Sequence, residues 1–227
     1  MIAHAIAQVP AEPLIRWHWI ATHLGLIRDR LLQHLALTGI AVGIGLVISL
    51  ALSLIAIRFR FTYAPIVWVT GILYTIPSLA LFVLLIPWTH LSVTTAEIGL
   101  VSYTLLILVR NIVAGIDGVP ESVKEAAIGM GYPPWRLLLE IELPLALPVI
   151  VAGLRIATVT VVGLVTVTAL IGQGGLGALI LDGLQRFFYT PLIVGAVLSV
   201  ALATVLDLLL LGVQRLLTPW AHSRMQR

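Results

Sequence analysis

Five apolar runs, each close to the length that crosses a bilayer, constrain this chain more than any other feature of its sequence. The runs are 37–57, 63–86, 98–116, 145–170 and 192–213. Hydrophobic residues make up 60% of the chain and charged residues only 10%, which is too few charges to cover the surface of a soluble protein. The sequence therefore predicts an all-α integral membrane protein with five transmembrane helices.

The segment before the first run carries too many charges for a span, namely Arg16, Arg28, Asp29 and Arg30. Its apolar residues recur at helical spacing, at Ile20, Leu24, Ile27 and Leu31. We interpret residues 14–35 as an amphipathic helix at the membrane surface; a helix packed on the transmembrane bundle explains the pattern equally well. The chain then divides into an N-terminal segment, 1–36, a transmembrane domain, 37–219, and a tail, 220–227.

Two of the predicted spans carry local packing or bending signals. In the first, Gly39-x-x-x-Gly43, with Ala41 and Gly45 nearby, predicts a stripe of small residues for close helix packing. In the second, Pro77-Ser78 predicts a kink, because proline cannot donate the next helical hydrogen bond. Residues 1–13 lack the basic start of a secretory signal, so we expect the first span to act as the insertion signal.

A semi-polar island, residues 125–144, separates the third and fourth runs within a loop that covers 117–144. It predicts two short helices with a bend at Gly131 and Pro133-Pro134. The first of these helices has a small apolar face, formed by Val123, Ala126, Ala127 and Met130. Such a helix is suited to a groove on a partner protein.

The island also carries a spaced signature: Glu125-Ala126-Ala127, three residues, Gly131, nine residues, then Ile141-Glu142-Leu143-Pro144. This pattern resembles the cytoplasmic loop of ATP-binding cassette importer permeases of type I, the group with the MetI-like fold. The resemblance extends from about residue 38 to 219. The runs 76–80, 144–148 and 171–177 are similar to the osmoprotectant branch of that family.

The resemblance implies a permease subunit that imports a quaternary amine such as glycine betaine, carnitine or choline. It implies a second permease chain, identical or paralogous, two cytoplasmic ATP-binding subunits that hold ATP and Mg, and an extracytoplasmic binding protein. The coupling residues it implies are Glu125, Ala126, Ala127, Gly131, Ile141, Leu143 and Pro144. A permease for another small solute, an ATP-independent transporter and a membrane assembly subunit remain alternatives.

We expect no catalytic, cofactor or metal site on this chain. It contains no cysteine and no phosphate-binding Gly-x-x-x-x-Gly-Lys-Ser/Thr motif. Gly172-x-Gly174-x-x-Gly177 matches a dinucleotide fingerprint but follows a transmembrane run instead of a strand, so a tight or re-entrant turn is the better interpretation. The six histidines show no metal-binding spacing, and we expect them to be solvated or interfacial.

Charged and polar groups within the runs are candidates for structural or transport roles. Arg155 and Asp207 lie at similar depth and are expected to pair, with Arg110 as a competing partner for Asp207. An interhelix ion pair and a direct transport role both explain them. The pathway candidates are Tyr74, Ser78, Thr158, Thr166 and Gln173, although membrane threonines often bond to their own helix instead.

Cationic residues are distributed unequally between the two ends of the predicted bundle. The island side contains Arg58, Arg60, Arg110, Lys124, Arg136, Arg215, Arg224 and Arg227. The other side contains Arg16, Arg28, Arg30 and Arg186. The positive-inside rule therefore predicts a cytoplasmic island and C-terminus and an outside N-terminus in the plasma or inner membrane.

Overall fold

The computed structural model describes residues 13–219, and every regular element in that range is helical. The helices are α1 (Trp17–Thr22), α2 (Leu24–Arg58), α3 (Tyr63–Thr75), α4 (Ser78–Thr89), α5 (Val93–Asp117), α6 (Glu121–Gly129), α7 (Pro134–Arg136), α8 (Leu143–Val167), α9 (Gly175–Gln185) and α10 (Tyr189–Leu217). Short 3-10 turns occupy Arg60–Thr62 and Thr168–Ile171, and a π-helical turn occupies Leu137–Glu142. The predicted all-α class is confirmed, while residues 1–12 and the tail 220–227 lie outside the described residues.

Four continuous helices of the described chain are long and apolar enough to cross a membrane: α2, α5, the helix from Pro134 to Ile171, and α10. Helices α3 and α4 form a fifth candidate span, which is bent by 97° at a break beside Pro77. The predicted kink is therefore a full break. Its cause is local, because Ile76 and Pro77 both adopt extended backbone conformations between the two helices.

The broken pair nevertheless runs the whole length of its neighbour α5. Arg60, just before α3, donates to Asp117 at the last residue of α5, with Nη1 2.9 Å from Oδ2. Thr89, the last residue of α4, hydrogen-bonds Thr95 in the first turn of α5 at 2.7 Å. The pair thus begins at one end of the bundle and finishes at the other, so it is the fifth candidate span, and Trp17 and Leu217 lie at opposite ends of the described bundle.

The separate N-terminal helix over 14–35 is a wrong prediction. A short helix, α1, ends at Thr22, and α2 then continues without interruption from Leu24 to Arg58. Residues 24–35 are therefore the first turns of the first spanning helix. Since His34 is buried and bonded to α8, this part favours the alternative of a helix packed on the bundle.

Helix α5 lies at the centre of the bundle and packs on α2 and α8, which supply much of the core. The small residues of α2 that pack inward are Ala41 and Gly45, and a Cβ on Gly45 would lie 1.9 Å from Thr104 Oγ1 of α5. Gly39 and Gly43 instead face outward and have no heavy atom within 4 Å of an added Cβ. Within the described chain, the small residues that pack closely are therefore Ala41 and Gly45, and Gly39 and Gly43 lie on the opposite face of the helix.

The glycine-rich segment after α8, predicted to be a tight or re-entrant turn, is a tight turn followed by a helix. Gly172 has φ +81° and ends the 3-10 turn, as a tight turn requires. Helix α9 then begins at Gly175 and packs on α10, α2 and α8. Gly177 permits this contact, because a Cβ there would lie 2.2 Å from the carbonyl oxygen of Thr166.

Candidate coupling surface and transmembrane ion pair

The island protrudes at the end of the bundle that holds Arg60 and Asp117. Helix α6 follows Pro120, whose extended ψ of 133° sets the chain direction at its start. The helix ends in a turn in which Tyr132 N–H donates to the Ala127 carbonyl at 3.1 Å. Gly131 supplies the φ of +85° that this turn needs. The predicted first helix and its bend at Gly131 are confirmed.

The second half of the island differs from the prediction. Pro134 begins a helix that continues through the π-helical turn into α8, so no separate short helix precedes the fourth span. Pro144 has no N–H to donate to the Glu140 carbonyl, and the preceding turn relaxes to the wider π pattern. Ile141, Leu143 and Pro144 therefore lie along the entry of a spanning helix.

The predicted apolar face of α6 divides between the protein and its surroundings. Ala127 is buried, with 1% of its surface exposed, and attaches α6 to the bundle. Val123, Ala126 and Met130 are exposed, and Met130 reaches 70%. Three further apolar residues extend this exposed surface: Ile128, Trp135 and Leu139. These exposed apolar side chains lie outside the central bundle, where exposed apolar surface is typical of a protein contact.

Ion pairs fix the island relative to the bundle. Lys124 Nζ lies 3.5 Å from Glu121 and 3.8 Å from Glu142, so it joins α6 to the turn that enters α8. Arg136 forms a two-point ion pair with Glu140, at 2.7 and 3.0 Å. Glu125 is exposed and forms no ion pair within the described residues. Its carboxylate is therefore available to a group on another protein.

Arg155 and Asp207 form the ion pair that the depth argument predicts. Arg155 Nε and Nη2 each donate to a carboxylate oxygen of Asp207 at 2.8 Å. Gln214 Nε2 donates to the Pro148 carbonyl at 3.2 Å, which keeps α10 in the same antiparallel register beside α8. Arg110 is exposed on α5 and is not the partner of Asp207.

The five pathway candidates do not converge on one cavity of the described chain. Tyr74 stacks edge-on against Tyr103, and Tyr103 Oη–H donates to the Ile76 carbonyl that the Pro77 break leaves free. Ser78 begins the helix after that break. Thr158 and Thr166 bond to carbonyls of their own helix, and the Gln173 carbonyl accepts from Thr168. A direct role of these residues in transport stays a prediction.

His34 is a functional candidate that the sequence analysis missed, and the expectation that all six histidines are solvated or interfacial is wrong for this residue. His34 is fully buried between α2, α8 and the first turn of α9. A pattern that points to it does exist. The buried residues of α2 recur at helical spacing as His34, Leu37, Thr38, Ala41, Gly45 and Ser49.

A family model matches residues 41–220 and is described as the binding-protein-dependent transport system inner membrane component. This chain belongs to that family. The permease is 38% identical over 207 residues to the osmoprotectant import permease protein OsmW of Salmonella typhimurium, covering 89% of this chain and 96% of that protein. It is also 33% identical over 208 residues to the choline transport system permease protein OpuBB of Bacillus subtilis, with 92% and 96% covered.

The solved structures agree on the fold of this permease. A chain of the MetNI methionine ABC transporter in an inward-facing conformation superimposes with a TM-score of 0.76 at 23% identity. The match covers 87% of this chain and 98% of that one. The MetI-like helical fold expected from the island signature is therefore confirmed.

Proposed function

We propose that this permease is the transmembrane subunit of an ATP-driven importer for quaternary-amine osmoprotectants such as glycine betaine, carnitine and choline. The observation that carries the proposal is the island, where exposed apolar side chains lie outside the spans, together with Glu125, which forms no ion pair within the described part of the chain. The names of the relatives, an osmoprotectant permease and a choline permease, support the substrate class.

In this proposal, two cytoplasmic ATP-binding subunits hold ATP and Mg, and each subunit binds the island of one permease chain. The coupling residues are Glu125, Ala126, Ala127, Gly131, Ile141, Leu143 and Pro144. Because helix continues from Pro134 through Leu143 into α8, a displacement of the island passes directly to a spanning helix. Closure of the ATP-binding subunits then moves two permease chains from an inward-facing to an outward-facing state.

The proposed orientation has the island and the C-terminus in the cytoplasm and the N-terminus outside. Lys124, Arg136 and Arg215 lie at the island end of the described bundle, as do Arg58 and Arg60. This excess of cations favours the cytoplasm. A binding protein on the opposite side delivers the solute into a route between the two permease chains.

Reconstituted vesicles test the proposal with labelled glycine betaine, carnitine and choline. We expect uptake that requires both ATP hydrolysis and the binding protein. Uptake without ATP would instead support a secondary transporter, and the absence of uptake for all three solutes would overturn the substrate class.

Cross-linking tests the coupling surface separately. The chain contains no cysteine, so Ala126→Cys introduces a single thiol for a short photo-cross-linker. We expect this residue to cross-link to the ATP-binding subunit. Phe187→Cys is the matched control, because Phe187 is 84% exposed at the opposite end of the bundle; an ATP-binding subunit cross-linked from Phe187 and not from Ala126 would refute the arrangement.

A further inference from the structure

The Arg155–Asp207 ion pair borders an open groove on the outer face of α8 and α10. The groove has a volume of about 470 Å³ and is lined by Ala152, Arg155, Ile156, Val159, Thr160 and Asp207. The two charged side chains keep 25% and 30% of their surface exposed. Both charges therefore reach the groove, and the rest of its wall is mostly apolar.

This face is unsuited to contact with lipid. Asp207 lies ten residues before the end of α10, which corresponds to about 15 Å along the helix and places the pair near the middle of a bilayer. Ionised side chains at that depth are found facing the interior of a bundle or a water-filled cavity. The α8–α10 groove accordingly faces water or another protein chain.

We infer that this groove is a binding site for the zwitterionic solute on its way through the importer, an inference that rests on the proposed function. The solute carboxylate binds the guanidinium of Arg155, whose planar donors suit a carboxylate. The solute ammonium lies beside the Asp207 carboxylate, and its methyl groups contact Ile156 and Val159. A quaternary ammonium has no hydrogen to donate, so charge and apolar contact are what hold it.

Charge balance gives this site a specificity. A zwitterion brings one positive and one negative group, so each member of the Arg155–Asp207 pair gains a partner and the net charge of the groove is unchanged. A simple cation such as choline draws on Asp207 and leaves the Arg155 guanidinium without its counter-charge. The site therefore favours carboxylate-bearing solutes, such as glycine betaine and carnitine, over choline.

Uptake by the complete importer, with its binding protein and ATP-binding subunits, provides the first test. We expect Arg155→Gln to lower glycine betaine uptake at least about tenfold relative to choline uptake, since the site loses its carboxylate partner. Arg186→Gln, which removes the exposed ion pair with Asp182 on α9, is the matched control and leaves that ratio unchanged. An unchanged ratio for Arg155→Gln overturns the inference, whereas failure of the wild-type importer to take up either solute overturns the proposed function instead.

A second measurement does not depend on the stability of charge variants. In the naturally cysteine-free chain, Ile156→Cys places a thiol in the groove, and its alkylation by a maleimide is followed in the assembled importer. We expect glycine betaine to slow alkylation at least about threefold and choline to slow it less. Val200→Cys on α10, 68% exposed and outside the groove lining, reports any general change in access. Equal protection by both solutes, or none, overturns the inference.

Discussion

The Nε2 atom of His34 lies 3.1 Å from the carbonyl oxygen of Val162 and joins the first spanning helix to α8. Because the Leu176 N–H donates to Nδ1 at 3.3 Å, Nδ1 is the unprotonated nitrogen and Nε2–H donates to Val162. The neutral ring thus donates to a carbonyl of α8 and accepts the free backbone N–H of Leu176 in the first turn of α9. One side chain therefore holds three helices together.

Replacing His34 by Leu removes both hydrogen bonds and leaves the Leu176 N–H, in the first turn of α9, without an acceptor, whereas the Val162 carbonyl keeps its helical partner within α8. We expect a loss of about 1–3 kcal/mol of stability, the typical cost of an unsatisfied buried polar group. The measurement is thermal unfolding of the purified permease in detergent. His18→Leu is the control, because His18 is exposed on α1; equal unfolding temperatures for the two variants would contradict this account of His34.

Gly131 permits the left-handed turn that directs the island. A Cβ on Gly131 meets no atom within 4 Å, so any effect of Gly131→Ala comes from its φ of +85° and not from a clash. That conformation costs about 1–2 kcal/mol for an ordinary L-residue. We therefore expect Gly131→Ala to shift the turn and lower solute-stimulated ATP hydrolysis in the assembled importer.

Gly129 provides a matched control for this prediction. It lies two residues earlier in α6, also has open space around an added Cβ, and is not among the positive-φ glycines of the described chain. Gly129→Ala should leave coupling intact and stabilise α6 slightly. Gly131→Asn should retain more activity than Gly131→Ala, because asparagine tolerates the left-handed region. Equal solute-stimulated ATP hydrolysis with Gly131→Ala and Gly129→Ala would show that coupling does not require the positive φ of Gly131.

The features that were predictable from sequence depend on long periodic runs or on simple distances along a helix. The pairing of Arg155 with Asp207 is predictable because each residue of a helix advances it by about 1.5 Å, so depth can be counted from the ends of the spans. The bend at Gly131 was predictable because glycine and a proline pair follow a short apolar face. Both inferences use only local chain geometry.

The course of α2 was not predictable in this way. A 35-residue helix is about 52 Å long and extends well beyond a hydrocarbon core of about 30 Å. Arg28, Asp29 and Arg30 therefore mark the edge of the membrane region but not the end of the helix. The role of His34 depends on α8 and α9, more than 120 residues away in sequence, and no local pattern identifies those partners.

Tyr103 holds the break between α3 and α4. Its hydroxyl donates to the carbonyl of Ile76, which has no helical partner because the chain is interrupted at Pro77. We expect Tyr103→Phe to lower stability by about 1–3 kcal/mol, since this carbonyl would then lack a donor. Thermal unfolding measures the loss, and solute uptake shows whether the break matters for transport.

Tyr74→Phe is the matched control for Tyr103→Phe. Its ring keeps the edge-on contact with Tyr103, whose centroid lies 5.6 Å away, and the hydrogen bond to Ile76 is untouched. The control variant should therefore unfold close to the wild-type temperature. A larger loss from Tyr74→Phe than from Tyr103→Phe would show that the hydroxyl of Tyr103 does not hold the break.

Glu97 is a buried carboxylate in the first turns of α5, and within the described residues neither of its oxygens has a hydrogen-bond partner. The buried hydroxyl of Thr38 on α2 also has no hydrogen-bond partner in the described part of the chain. Gly45 of α2 contacts Thr104 of α5. Thr38 lies seven residues before Gly45 on α2, and Glu97 lies seven residues before Thr104 on α5. Because two helical turns separate the positions in both cases, the unsatisfied groups lie at one level between α2 and α5.

An ionised carboxylate at this level carries a desolvation cost that no counter-charge offsets, so Glu97→Gln should raise stability by about 1 kcal/mol or more. The amide of glutamine keeps nearly the same shape as the carboxylate and carries no charge, so the substitution removes the desolvation cost with little change in side-chain volume. Glu125→Gln, at an exposed position of the island, is the control and should leave the unfolding temperature unchanged. A lower unfolding temperature for Glu97→Gln would mean that the charge of Glu97 is stabilised in the membrane by a cation or a proton-sharing group, and the explanation based on desolvation would then be wrong.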